Sequence, residues 1–230
     1  ANNHYASAER IVTASPRALT VTADAQSKNY GQSDPELTYT VTSGSLISGE
    51  TLVGKLTRDA SEDAGSYAIR QGTLTDSNNP NYRITFVGND LTIFSTAPEI
   101  TVTVDPSGQV AGQLVHVSVT VKNPYSSALT DLPSPTLTYT VGNGRAQTVA
   151  LSNGNGSFIV PEGASVGTEI HVSAVTEGTG NYKRSTASAT VTVIDKIRVD
   201  DAVRVQTSAS FVYGEAPAVK GSFSGKTEGT

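Results

Sequence analysis

The residues with chemistry to offer are few and scattered. Gly163-Ala164-Ser165-Val166-Gly167 fits the G-x-S-x-G pattern, in which a nucleophilic serine rides a tight turn between a strand and a helix. The next residues, Thr168-Glu169-Ile170-His171-Val172, alternate like a strand, so the stretch reads as a glycine–serine loop. The histidines are His4, His116 and His171. His116 lies between Val115 and Val117, and His171 between Ile170 and Val172, which turns both imidazoles away from the apolar side. On neighbouring strands they would make a metal pair, but no third ligand is spaced to join them. Asp59, Glu62 and Asp63 crowd one stretch, with Asp76 in another. Calcium needs about six converging oxygens, and the EF-hand spacing is absent, so this reads as a solvated acidic loop. Asn155-Gly156-Ser157 fits the glycosylation pattern and equally a hairpin tip, which is the preferred reading. An intramolecular Lys–Asn cross-link would need a buried lysine beside a carboxyl group. Lys28, Lys55 and Lys122 lie among polar neighbours and give no sign of burial. Without cysteine there is no disulfide, thiolate nucleophile or zinc–sulfur site. No catalytic residue, metal ligand or cofactor emerges.

The elements that would position these side chains are strands. The 230 residues suffice for about two domains of ordinary size. Thr, Ser, Val and Gly dominate, and the 37% of hydrophobic residues come in short alternating runs. β-Branched residues are stiff at χ1 and fit a pleated surface, so the fold class is all-β. A net charge of −5, with both signs scattered, argues against a nucleic-acid partner and against contact with an anionic membrane. No apolar run approaches membrane-spanning length.

Along the chain, residues 1–15 read as the end of a preceding repeat. Pro16 punctuates, and residues 16–96 form a first β domain. Its rows are Leu19-Val21-Ala23, Leu37-Tyr39-Val41, Leu52 to Leu56, Tyr67 to Ile69, Ile84 to Phe86 and Leu91 to Ile93. Gly88-Asn89-Asp90 reads as a hairpin joining the last two, and Ser48-Gly49-Glu50 as the cap of a single helical turn. Gly31 reads as a turn position needing positive φ, with Asp34-Pro35 a further turn signal. Residues 97–195 carry about seven strands, as an immunoglobulin-like sandwich requires, with Thr96-Ala97-Pro98 as a very short linker. Asn153-Gly154-Asn155-Gly156 is a strong hairpin signal.

Internal repetition links the parts. Asn81-Tyr82 followed by Thr92 recurs as Asn181-Tyr182 followed by Thr192. Tyr30-Gly31 recurs as Tyr213-Gly214, so residues 196–230 read as the first half of another repeat. Lys28, Tyr30-Gly31, Asp34-Pro35, Leu37-Thr38-Tyr39, Ser43-Gly44, Ser48-Gly49, Gly65, Tyr67, Ile69, Gly72-Thr73-Leu74 and Asn81-Tyr82 together resemble the MBG family of Tyr-Gly-containing repeats. Gly180-Asn181-Tyr182-Lys183 and the run Ala187 to Val193 resemble a bacterial immunoglobulin-like repeat. The MBG resemblance implies tandem arrays in large bacterial surface proteins and adhesins. The partners it suggests are neighbouring repeats of one long extracellular chain; a separate, alternative reading is a module that binds host mucin glycans or a host surface protein directly. It brings no catalytic residues. Tyr30, Gly31, Asp34, Pro35, Tyr67, Asn81, Tyr82, Tyr213 and Gly214 are then structural motif positions.

Overall fold

The computed structural model describes residues 14–196. Residues 1–13 and the repeat beginning near residue 197, with Tyr213 and Gly214, lie outside the described residues. Within them the protein is built from strands, and the single 3-10 turn falls at Asp76–Asn78.

The first core is closed by two sheets. β1 (Arg17–Ala23) turns Leu19, Val21 and Ala23 inward and the threonines between them outward. It pairs antiparallel with β3 (Tyr39–Ser43) and parallel with β6 (Tyr82–Val87). The facing sheet orders β2 (Gln26–Asn29), β7 (Asn89–Phe94), β5 (Gly65–Arg70) and β4 (Thr57–Arg58). Ile69, Leu74, Leu91 and Ile93 are buried between the sheets. Full burial of such a side chain contributes about 1.5–3 kcal/mol.

Three local expectations are corrected. Gly88 is no hairpin: β6 has its partner in β1, while β7 pairs with β2 and β5, so the chain passes straight from one sheet to the other. β1 makes the same crossing into β2. Residues 52–56 are no strand either, because their backbone is held by side chains. Val53 N–H donates to Asn79 Oδ1 at 2.7 Å, Asn79 Nδ2 donates to Val53 O at 2.8 Å, and Lys55 N–H donates to Thr73 Oγ1 at 2.9 Å. Leu52 and Leu56 are still buried. Ser48-Gly49 is a plain turn closed by Glu50 N–H on Ile47 O at 2.9 Å, without helix.

The second core is an immunoglobulin-like sandwich. One sheet orders β13 (Asn155–Ile159), β10 (Leu114–Lys122) and β8 (Glu99–Asp105). The other orders β12 (Gln147–Val149), β11 (Thr136–Val141), β14 (Glu169–Thr176), β15 (Ser185–Val193) and β9 (Gly108–Gln109). Val115, Val117 and Val119 face Ile170, Val172, Ala174, Val191 and Val193, and Tyr139 stacks on Phe158 at 4.2 Å. The hairpin tip is Asn153-Gly154, both at positive φ (49° and 78°), so Asn155 already belongs to β13.

Candidate functional site

Three of the chemical patterns come apart. Ser165 sits in a loop that leads into β14, with no helix after it. His116 on β10 and His171 on β14 are both exposed and belong to opposite sheets. Among the described residues no group of three or more His, Asp or Glu side chains is placed to hold a metal ion.

The acidic loop is solvated, as Glu62 and Asp63 are exposed, and it is also paired. Arg58 donates from Nε to Asp34 Oδ2 at 2.7 Å and from Nη2 to Asp34 Oδ1 at 3.0 Å, and it also reaches Glu62. Asp59 is held by Arg70 at 2.7 Å. Lys28 corrects the reading of exposed lysines: its side chain is 3% exposed, and Nζ donates to Asp34 at 2.7 Å and to Glu62. Burial alone would lower the lysine, but the two carboxylates outweigh it and hold its pKa above the usual value. The hydrogen bonds from Arg58, ahead of those from Lys28, pull Asp34 down to about 2. The hydrogen-bond partners of Lys28 Nζ are the carboxylates of Asp34 and Glu62, and no asparagine side chain is among them. Tyr67 completes the loop, donating to Asp63 O at 2.8 Å and accepting from the Ser61 hydroxyl at 3.1 Å, with Arg58 over its ring.

The turn that carries Tyr30 is closed by Gln32 N–H on Asn29 O at 3.0 Å, and Tyr30 leads to a second polar constellation. Its ring is buried and meets Tyr182 edge-to-face, with centroids 5.3 Å apart. Its hydroxyl donates to Asp131 Oδ2 at 2.7 Å. Its carbonyl accepts from Thr96 Oγ1 at 3.0 Å and from Asn123 Nδ2 at 3.3 Å. Burial, then the Asp131 carboxylate, pushes the Tyr30 phenol well above its ordinary range. Tyr182 is raised too, again first by burial.

Gly31 has φ +93°, and a Cβ there would lie 2.6 Å from Asn123 Oδ1. That oxygen cannot swing aside freely, because it accepts the Tyr125 N–H at 2.8 Å and the Ser126 N–H at 3.1 Å. Both the backbone and the second sandwich therefore demand glycine at 31.

Asn181 works from the other side. Its Oδ1 accepts Ala64 N–H at 2.9 Å, and its Nδ2 donates to Asp63 Oδ1 at 2.9 Å. Thr96 is zipped between the halves: its N–H donates to Asn181 O at 3.0 Å, and its carbonyl accepts Lys183 N–H at 2.9 Å. Leu129 and Leu132 pack against the first core, and Tyr182 is part of it. The expected linker is therefore a bridge in a ladder.

The family comparison bears on the first sandwich. The sequence matches the model described as MBG domain (YGX type) over residues 19–92. The match covers the first sandwich and not the second. The Tyr-Gly pair of its description stands here as Tyr30-Gly31, at the joint. No curated protein matches the chain. Among solved structures, the adhesin InvE of Yersinia pseudotuberculosis aligns at 13% identity and TM-score 0.27, covering 75% of this chain and 58% of that one. The Escherichia coli adhesin FdeC aligns at 16% identity and TM-score 0.33, covering 76% and 63%. The chain thus spans less than two thirds of either.

Of the motif residues, Tyr30, Gly31, Asp34 and Tyr67 surround the joint of the first sandwich. Asn81 and Tyr82 lie at its opposite end, where Tyr82 donates to Glu50 Oε2 at 2.6 Å. Sequence reasoning missed Asn123 and Asp131 and took Thr96 for part of a plain linker. The available signal was an acid flanked by leucines, Leu129-Thr130-Asp131-Leu132, in a long connection between strands.

Proposed function

We propose that residues 16–96 and 97–195 are two consecutive units of a non-catalytic spacer in a bacterial cell-surface adhesin. The observation that carries this is the joint. Tyr182, from the second sandwich, is buried in the first core beside Tyr30, and the connection at Thr96 is hydrogen-bonded on both sides. A covered aromatic pair with buried polar partners holds one orientation, whereas a free linker would leave many. The MBG resemblance supports the surface setting, since such repeats occur in tandem in large extracellular proteins.

Residual dipolar couplings test it. Both sandwiches should report one alignment tensor in the native chain and two in a Tyr30→Ala, Asn181→Ala variant. Two tensors in the native protein would end the spacer reading.

A second reading, direct recognition of mucin glycans, draws on an open groove beside the joint lined by Ser27, Lys28, Gln32, Ser33, Pro35 and Tyr125. Tyr125 is half exposed and offers a ring for a sugar to stack on. Glycan-array binding abolished by Tyr125→Ala would favour it over a bare spacer.

A further inference from the structure

The far end of the second sandwich, away from the joint, exposes four large apolar side chains among charged and polar ones such as Glu162, Glu169 and Lys196. Leu114 is 43% exposed, Ile159 58%, Val166 63% and Ile194 43%. Leu114 and Ile159 are register partners on β10 and β13, and both point outward because Val115 and Phe158 point in. Ile194 N–H donates to Gln109 O at 3.1 Å, and Gln109 Nε2 donates to Leu114 O at 2.8 Å, which places Ile194 beside that pair. Gly167 N–H donates to Val193 O at 2.7 Å, bringing the Val166 loop to the same end. Four large side chains gathered at one end form the kind of surface that marks an interface.

The chain itself leaves from this end. Directly after Lys196 come apolar pairs, Ile197 with Val199 and Val203 with Val205, and then the second Tyr-Gly at Tyr213-Gly214. At the opposite end of the same sandwich, the loops bearing Asn123, Asp131 and Tyr182 are covered by the unit adjacent in the chain.

We infer that the Leu114–Ile159–Val166–Ile194 surface is the seat of the unit that begins at Ile197, and that this second joint is apolar where the first is polar. The inference rests on the tandem-unit reading but not on the stiffness of the first joint. Apolar seats are adaptable in register, since they need only matching area. The polar joint instead requires each hydrogen bond to find its partner.

Hydrogen exchange in the full chain and in a chain ending at Lys196 provides the test. Amides from Ser157 to Thr168 should exchange severalfold faster once residues 197–230 are removed. In the full chain, Ile159→Glu should leave the melting of the second sandwich unchanged, because that side chain is exposed. It should also speed tryptic cleavage at Arg198 and Arg204. Equal exchange in the long and short chains would overturn the inference. So would protection that appears only as protein concentration rises, which would make a second copy the occupant. Dipolar couplings between the two sandwiches report on the first joint alone, so its failure is distinguishable from failure of this one.

Discussion

Asn81-Tyr82 and Asn181-Tyr182 are the same device used in two ways. In both, the asparagine carbonyl accepts the N–H of a residue entering the sandwich, from Arg17 at 2.9 Å and from Thr96 at 3.0 Å. In both, the tyrosine lies parallel to that residue. The difference is what covers the ring. Tyr82 is closed over by its own unit: Ile47 N–H donates to its hydroxyl at 2.8 Å, and the hydroxyl donates to Glu50. Tyr182 is closed over by the unit before it, through Tyr30. One sandwich thus finishes its own entrance, and the other borrows the finish from its neighbour. A repeated motif therefore marks a position in the fold, while its surroundings decide whether that position is internal or shared.

The largest effect that sharpens the comparison comes from Tyr182→Ala. It removes a ring that is 1% exposed, and a cavity of that size costs about 3–5 kcal/mol. Because the ring sits in the first core, denaturation should show the first sandwich weakened by a change made in its neighbour. Tyr82→Ala should weaken only its own unit. If Tyr182→Ala leaves the unfolding of the first sandwich untouched, the ring is no part of that core.

Gly31→Val comes next, at about 1–3 kcal/mol for a strained site, because it combines positive φ with collision at Asn123. Gly49 has φ +85° but open space around it, so Gly49→Val should show backbone strain alone and leave the joint aligned. Equal loss of interdomain alignment in the two variants would break the argument that Asn123 selects glycine.

Tyr30→Phe keeps the ring and deletes the bond to Asp131, a cost of about 1.5–3 kcal/mol for a hydrogen bond to a charged group. The expected signature is a looser joint in dipolar couplings, with each sandwich's own amide protection preserved. A unified tensor in this variant would assign the orientation to packing alone.

The smallest effect is acid sensitivity. Asp34 is depressed to about 2 in the fold, against an ordinary carboxyl near 3.8. A depressed acid contributes stability above its unfolded pKa, and that contribution is lost as pH falls through the folded value. The first sandwich should therefore weaken between about pH 4 and about pH 2, and Asp34→Asn should flatten that dependence. An identical acid limb in the variant would remove Asp34 from the account.

The period-two rows, the inward valines and the Asn153-Gly154 turn are legible in the sequence because each is set by neighbours along the chain. Gly88-Asn89-Asp90 imitates a hairpin for the same reason: local turn chemistry does not reveal that β7 has its hydrogen-bond partners in another sheet. Lys28 reads as exposed because Glu62, one of the two carboxylates that hold it, lies 34 residues away. Asp131 is invisible, since its meaning depends on Tyr30, 101 positions earlier. Shared residues at a joint carry no periodicity of their own. The repeats point to Asn181-Tyr182 but cannot say that its ring is buried in a different unit.

The two sheet crossings, β1 into β2 and β6 into β7, have a mechanical consequence. In the first sandwich, the first and last strands run side by side in the same direction, from Arg17 beside Tyr82 to Asn29 beside Phe94. Tension along the chain enters at one end of this ribbon and leaves at the other. It therefore drags the paired strands past each other lengthwise, loading the rungs of both ladders together. Strands whose two ends emerged side by side would instead peel apart rung by rung. A ribbon built this way meets a lengthwise pull with all its rungs at once.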